Sequence, residues 1–431
     1  MITAEYTIPG IHVRDHELAL PLDWAQPDGA TIIVFARELS TPDRRNDELP
    51  LLVYLQGGPG GKSPRPTGAD GWIGQALREH RVVLLDQRGT GRSTRVDART
   101  ISAFPSAEAG ADYLAHFRAD SIVQDAEAFR TRVFGGARWT SLGQSYGGFL
   151  TLTYLSRAPQ GLAACLVTGG LASVTPSAAE VYRRTYPRVE GKNRRFYERF
   201  PHDEARVAAV ADRLAVGDVT LPDGDVLTTR RFQTIGIDFG MKPGFERVHW
   251  AVDEALDAQG EPTDAFLQHV QELTSFADNP LFAVLQESIY GHLDGATAWA
   301  AEAERAKHPQ FAESARPLLF TGEMMYPWMF REIRGLKPFE GAVEALAART
   351  SWSPLYDLDV LAANDVPVVA AVYFDDMYVD SGLQLDTASR VGNAHAWVTN
   401  EYEHDGLQSD RVFAHLSELL AATGKKKSTH D

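Results

Sequence analysis

Nine residues, SLGQSYGGF at 141–149, constrain the fold of this chain more than any other stretch. The segment before them, ARWTSLG (137–143), reads as a short strand, and the segment after, GFLTLTYLSRAP (148–159), as a helix. Gly143, Ser145 and Gly147 therefore form G-x-S-x-G at a sharp strand-to-helix turn, which exposes the serine hydroxyl. Gly148 leaves room for close helix packing. The flanking chain repeats the same alternation. TIIVFAREL (31–39), LPLLVYLQ (49–56), RVVLLDQ (81–87) and GLAACLVTGG (161–170) read as strands, the last three ending at or beside glycines. DSIVQDAEAFRTRVFG (120–135) reads as a helix with Ile122, Ala126, Phe129 and Val133 on one face, Asp120 capping its start and Gly135 ending it. Strand–helix alternation at this spacing predicts an α/β fold around a mostly parallel sheet.

The pattern changes at about 173. Helical periodicity takes over in HDEARVAAVADRLAV (202–216), VHWAVDEALDA (248–258) and GAVEALAAR (341–349), and no buried parallel strand is evident there. VPVVAAVYF (366–374) then returns as a β-branched strand, followed by a helix, a strand at AHAWVTN (394–400) and a last helix with Val412, Leu416 and Leu419 on one face. The expected organisation is a core begun by 1–172, a mainly helical cap inserted at 173–350, and a core completed by 351–431.

Composition narrows the chemistry. With 42 Lys plus Arg against 58 Asp plus Glu, the net charge is −16. Such a surface repels nucleic acid and anionic membranes and favours a cationic substrate. The one cysteine, Cys165, excludes an intramolecular disulfide and a cysteine-rich zinc site, and its apolar setting reads as a buried small hydrophobe. No H-E-x-x-H and no dinucleotide G-x-G-x-x-G occurs, so neither a metal nor a redox cofactor is expected. No secretion signal and no apolar run of ~20 residues is seen, so a cytoplasmic protein is expected. GKKKSTHD (424–431) reads as a solvated tail.

A nucleophilic serine needs a base, and the base an orienting acid. With the nucleophile at such a turn, the chain order is Ser, then Asp or Glu, then His. Strand 366–374 ends in Asp375-Asp376, and Asp376 is preferred because it lies further past the strand end. EYEHDGL supplies His404 in a loop before the last helix; His395, the alternative, falls within a strand. QGGPGG (56–61) follows a strand and is suited to pointing backbone N–H groups at a developing oxyanion. GKS at 61–63 ends like a phosphate loop, but Gln56 stands where that motif needs glycine, and Pro64 and Pro66 oppose the helix it needs. In DQRGTGRS (86–93), Asp86 and Arg88 read as a local ion pair that holds a structural turn.

Together, QGGPG, DQRGTGRS and GQSYGG, with Asp376 and His404 in order, resemble the prolyl iminopeptidase family of α/β-hydrolases over nearly the whole chain. The opening segment LPLDWAQPDGATIIVFAREL resembles the N-terminal β region of its longer members. The resemblance implies an α/β-hydrolase fold with a helical cap and release of N-terminal residues, preferably proline, from short peptides with a free amino end. Ser145 would attack, His404 would act as base and then acid, and Asp376 would orient it. Backbone N–H groups of Tyr146 and of Gly57 or Gly58 would hold the oxyanion. GEMMYPW (322–328) resembles the family's E-N-H-Y-F stretch and points to Glu323 as a ligand of the substrate amine, with Glu287 in LQESIYG a second candidate. Gln56 departs from the family's histidine before GGPG, and the DDM stretch lacks the common G-R-Y-D. A hydrolase of esters, lactones or amides without a free amine, and a catalytically silent binding protein, are the competing readings.

Overall fold

The computed structural model describes residues 2–427. The charged tail expected at 424–431 lies outside the described residues from 428 onward. The strands are β1 (Ile2–Ile8), β2 (Ile11–Pro21), β3 (Thr31–Ser40), β4 (Leu51–Leu55), β5 (Arg81–Asp86), β6 (Trp139–Gln144), β7 (Leu162–Thr168), β8 (Leu293–Asp294), β9 (Ser351–Trp352), β10 (Val368–Tyr373) and β11 (Ala394–Thr399). β8 and β9 form a small separate ribbon. The other nine make one sheet in the order β1-β2-β3-β5-β4-β6-β7-β10-β11. β1, β2, β3 and β5 pair antiparallel in turn, and every pairing from β5 to β11 is parallel. A parallel run sends the carboxyl ends of its strands to one edge, so the loops after β4, β5, β6, β7, β10 and β11 gather there.

Side chains alternate across the sheet and both faces are covered. Leu52, Leu84, Leu142, Leu166 and Val369 pack under Trp72 and Ile73 of helix Gly71–Ala76 and Val412 and Leu416 of helix Asp410–Lys427. Val53, Leu85, Cys165 and Val368 pack under helices Ala119–Arg132 and Tyr146–Arg157. This second apolar cluster continues without a break into the segment between β7 and β10, through Val189, Phe196, Phe239 and Phe320. The regular structure of that segment is helical apart from β8 and β9, and its longest element is helix Ala178–Arg199.

Three local expectations need correction. The helix at 119–132 is preceded by Arg118 rather than capped by Asp120; Asp120 sits in the first turn and its carboxylate accepts from Ser353 Oγ at 2.6 Å. The helix expected at 248–258 runs Gly244–Asp253. Asp86 and Arg88 do not pair with each other. Arg88 is fully buried and binds both carboxylate oxygens of Asp125 at 2.6 and 2.7 Å, as well as carbonyls of Pro21, Leu22 and His116. Asp86 instead takes Arg65 and the N–H groups of Ser63 and Arg92. The strand ends at Asp86, so Arg88 lies in the turn beyond it, where strand alternation no longer holds, and the two meet different neighbours.

Candidate active site

Ser145 stands where β6 gives way to helix Tyr146–Arg157, with φ 55° and ψ −123°. A positive φ is costly for a residue with a Cβ and persists only where the surroundings enforce it. The enforcement is visible in the glycines. A Cβ on Gly143 would stand 2.3 Å from Gly147 O, one on Gly147 1.8 Å from Leu55 O, and one on Gly148 2.3 Å from Gly170 O. The turn is thus pressed against the neighbouring strand and loop, and Ser145 N–H donates to Thr168 O at 2.9 Å.

His404 lies in the loop after β11, buried, with Nδ1 2.6 Å from Asp376 Oδ2. Asp376 lies in the loop after β10 and is completely buried. Its Oδ1 accepts from Tyr378 N–H at 2.8 Å and Val379 N–H at 3.1 Å, so both oxygens are occupied. Burial by itself would lower the His404 pKa, but the charges of Asp376, Glu323 and Asp405 and the Asp376 hydrogen bond outweigh it, and the pKa is raised. The ring lies against the turn after β7: a Cβ on Gly169 would lie 3.2 Å from His404 Nδ1. Among the described residues no hydrogen bond joins Ser145 Oγ to His404. Asp375 points elsewhere, into an ion pair with Arg195 at 3.1 Å that lowers its pKa. His395 is exposed on β11, its Nε2 3.3 Å from Asn393 Oδ1.

The 57–61 loop reaches the same point. A Cβ on Gly57 would lie 3.1 Å from Ser145 Cβ, and Gln87 Nε2 anchors Gln56 O at 2.8 Å. Among the described residues, neither Gly57 N–H nor Tyr146 N–H is taken up by a backbone carbonyl outside its own element. The end of that loop is structural: Ser63 Oγ donates to Leu85 O, Lys62 pairs with Asp278, and the next described helix begins only at Gly71.

The two glutamates named from sequence, both in the helical segment, are used differently. Glu287 is buried and accepts from Ala300 N–H at 3.0 Å and Ala301 N–H at 2.9 Å, so it caps helix Ala300–Arg305 with both oxygens. Burial pushes it up to about 7 against the pull of those donors. Glu323 has no such cap. Burial pushes it up to about 7 as well, with His404 pulling it down and Asp376 pushing it up. The Gln286 side chain stabilises its ionised form. Burial raises the pKa of Tyr182 and Tyr290, which stand edge to face 6.4 Å apart, and the charge of Glu323 helps to raise both. Gln286 and Tyr182 were not singled out from sequence; a Gln before a Glu, and a Tyr on a long helix, carry no local signal. Among the described residues no group of three or more His, Cys, Asp or Glu is arranged to hold a metal ion, and no helix is long and apolar enough to cross a membrane.

A serine at an enforced turn after a parallel strand, with an Asp–His pair on the same sheet edge, is the arrangement of an α/β-hydrolase, and residues 50–207 match the family model for the alpha/beta hydrolase fold. The proline iminopeptidase of Aeromonas sobria is 47% identical over 408 residues, which covers 94% of this chain and 95% of that one. The corresponding protein of Aspergillus aculeatus is 33% identical over 402 residues, covering 90% and 89%. The solved proline iminopeptidase of Mycobacterium smegmatis aligns over 94% of this chain and 98% of that one, at 15% identity and TM-score 0.45. The chain belongs to the proline iminopeptidase family.

Proposed function

We propose that this protein is a serine aminopeptidase that releases N-terminal residues, preferentially proline, from short peptides. The observation that carries the reading is the Glu323 carboxyl, half-buried, without a capping role, and within electrostatic reach of the His404–Asp376 pair. A buried carboxylate attracts an ammonium far more strongly than an exposed one. It sits in the helical segment, which we read as a cap domain at 173–350 between the two parts of the core, 1–172 and 351–431. An amine anchor under a cap limits cleavage to the first residue of a chain.

Ser145 Oγ attacks the carbonyl carbon of that residue and its proton passes to His404 Nε2. The Nδ1–H to Asp376 bond keeps Nε2 available as acceptor. Tyr146 N–H with Gly57 or Gly58 N–H receives the oxyanion. His404 then protonates the leaving amine, the C–N bond breaks, and a water activated by the same imidazole hydrolyses the acyl-enzyme. Glu287 supports the cap, by holding helix Ala300–Arg305, rather than touching the amine. The cytoplasmic location expected from sequence stays part of the proposal, with cell fractionation as its test.

The test is a panel of aminoacyl arylamides with free and acetylated amino ends, with Ser145→Ala as control. Proline should be released fastest, acetylated substrates should be inert, and Ser145→Ala should lose at least about 10⁴-fold in kcat. Cleavage of acetylated substrates or simple esters alone would replace the aminopeptidase by a general amide or ester hydrolase. A folded protein that a fluorophosphonate fails to label would favour a silent scaffold.

A further inference from the structure

Helix Ala178–Arg199 carries cations at 184, 188, 192 and 195, a spacing that puts them on one helix face. All four meet the loops after β10 and β11. Arg188 is the centre of the row. Its Nε lies 2.6 Å from Asp380 Oδ2, its Nη2 donates to Ser381 Oγ at 2.8 Å, and its Nη1 donates to Phe374 O at 2.8 Å and Asp376 O at 3.2 Å. One guanidinium therefore grips the entry, the middle and the exit of the loop that carries Asp376. Arg184 Nη1 adds a second contact to Asp380 at 3.3 Å. Lys192, almost wholly buried, pairs at 2.5 Å with Glu403, the residue before His404. Arg195 takes Asp375.

The partners divide the two aspartates at the strand end. Arg195 draws Asp375 to the helix, while Arg188 binds the Asp376 carbonyl and leaves its carboxylate to Tyr378 N–H, Val379 N–H and His404. A planar five-donor fork suits such a grip on carbonyls and a carboxylate at once, and a lysine cannot reproduce it. We infer that Arg188 is a positioning residue: from the inserted helical segment, it fixes the Asp376 loop and hence the Asp376–His404 pair. Lys192 acts in the same sense on the His404 side. The inference rests on the reading of Ser145, His404 and Asp376 as a triad, and it gives the insertion a role in the chemistry besides covering the substrate.

The groups facing His404 are Asp376 from the β10 loop, Glu323 from the insertion, and Asp405 and the Tyr378 ring beside it. Arg188→Lys keeps the charge and removes the fork. Its kcat for a proline arylamide should fall about ten- to hundredfold with KM changed less than about threefold, and the acid limb of kcat should move to lower pH as Asp376 loses its hold on the imidazole. Arg188→Met should fall further in kcat. Titration of Ser145 with a fluorophosphonate counts the folded sites, so that kcat is per folded enzyme. An Arg188→Lys enzyme with wild-type kcat and an unmoved acid limb overturns the inference, and so does a loss confined to KM. If Ser145→Ala retains activity, the triad reading fails first. If Ser145→Ala is inactive and Arg188→Lys is normal, only this inference fails.

Discussion

A carboxyl held near neutrality gives the amine site a pH dependence of its own. Glu323 is raised to about 7, chiefly by burial. Below that pH it is neutral and no longer attracts an ammonium, whereas a neutral ester needs only an unprotonated His404. The kcat/KM for a proline arylamide should therefore fall more steeply on acidification below about pH 7 than that for an aryl ester. Glu323→Gln should remove the difference in slope and raise KM for the arylamide about ten- to hundredfold, leaving the ester within about twofold. Equal effects on both substrates would sink the amine-anchor role. The same shift has a stability consequence with a definite sign. The folded carboxyl binds its proton more tightly than the unfolded one, so its contribution is favourable below about pH 4.5 and is lost as pH rises through about 7. Glu323→Gln should thus be more stable than wild type at pH 8, by at most about 3 kcal/mol. The gap should close by about pH 4.5. Urea midpoints at the two pH values would measure it, and a gap independent of pH would refute it.

The elements divide into those whose reason lies in their own residues and those held by distant partners. The Ser145 turn is of the first kind, and substitution tests it directly. Gly147→Ala drives a Cβ into Leu55 O on β4, where only backbone movement gives relief. It should cost more than about 4 kcal/mol and abolish fluorophosphonate labelling. Gly191, inside helix Ala178–Arg199, meets nothing within 4 Å of a built Cβ, so Gly191→Ala should stabilise by about 0.5–1 kcal/mol. A Gly147→Ala protein with a wild-type urea midpoint would contradict this account of the motif. β4, β5, β7 and β10 were legible because each is a short apolar run that ends at a turn. β1 and β2 were not, because their polarity imitates a loop. β1 is mostly exposed, and β2 buries Asp15 and His16 by pairing them with Arg37 and Glu38 across the sheet. Helix Ala178–Arg199 was hidden by Pro187 and by its charges. At the site, a nucleophile motif is local and readable. That His404 meets Asp376 while Asp375 meets Arg195 depends on a helix some 180 residues earlier in the chain. The Arg88–Asp125 pair escaped for the same reason: its partner lies 37 residues away in another element.

At the scale of the whole molecule, the insertion and the sheet are one packed body. The apolar cluster on one sheet face runs through Val189, Phe196, Phe239 and Phe320 of the insertion. The polar seam beside it is buried at Lys192–Glu403 and continues through Arg188 to the β10 loop. Parting such a seam would strand a buried charge, a cost of about 3–5 kcal/mol for a broken buried pair, in addition to exposing the apolar contacts. Substrate access by swinging the whole insertion away is therefore unfavourable, and movement must be confined to parts that do not bear on this seam. Two consequences are measurable. Thermal unfolding should be a single cooperative transition, with calorimetric and van't Hoff enthalpies equal. In native-state hydrogen exchange, the amides of helix Ala178–Arg199 should be as protected as those of β6 and β7, because they open only when the shared core opens. Lys192→Met should lower the protection of that helix and of the 400–405 loop together, while β4 and β5 stay unchanged under native conditions. A helix that exchanges well before the sheet in the wild-type protein, or a separate first unfolding transition, would mean that the insertion is an independent lid and that its hold on the Asp376 and His404 loops is transient.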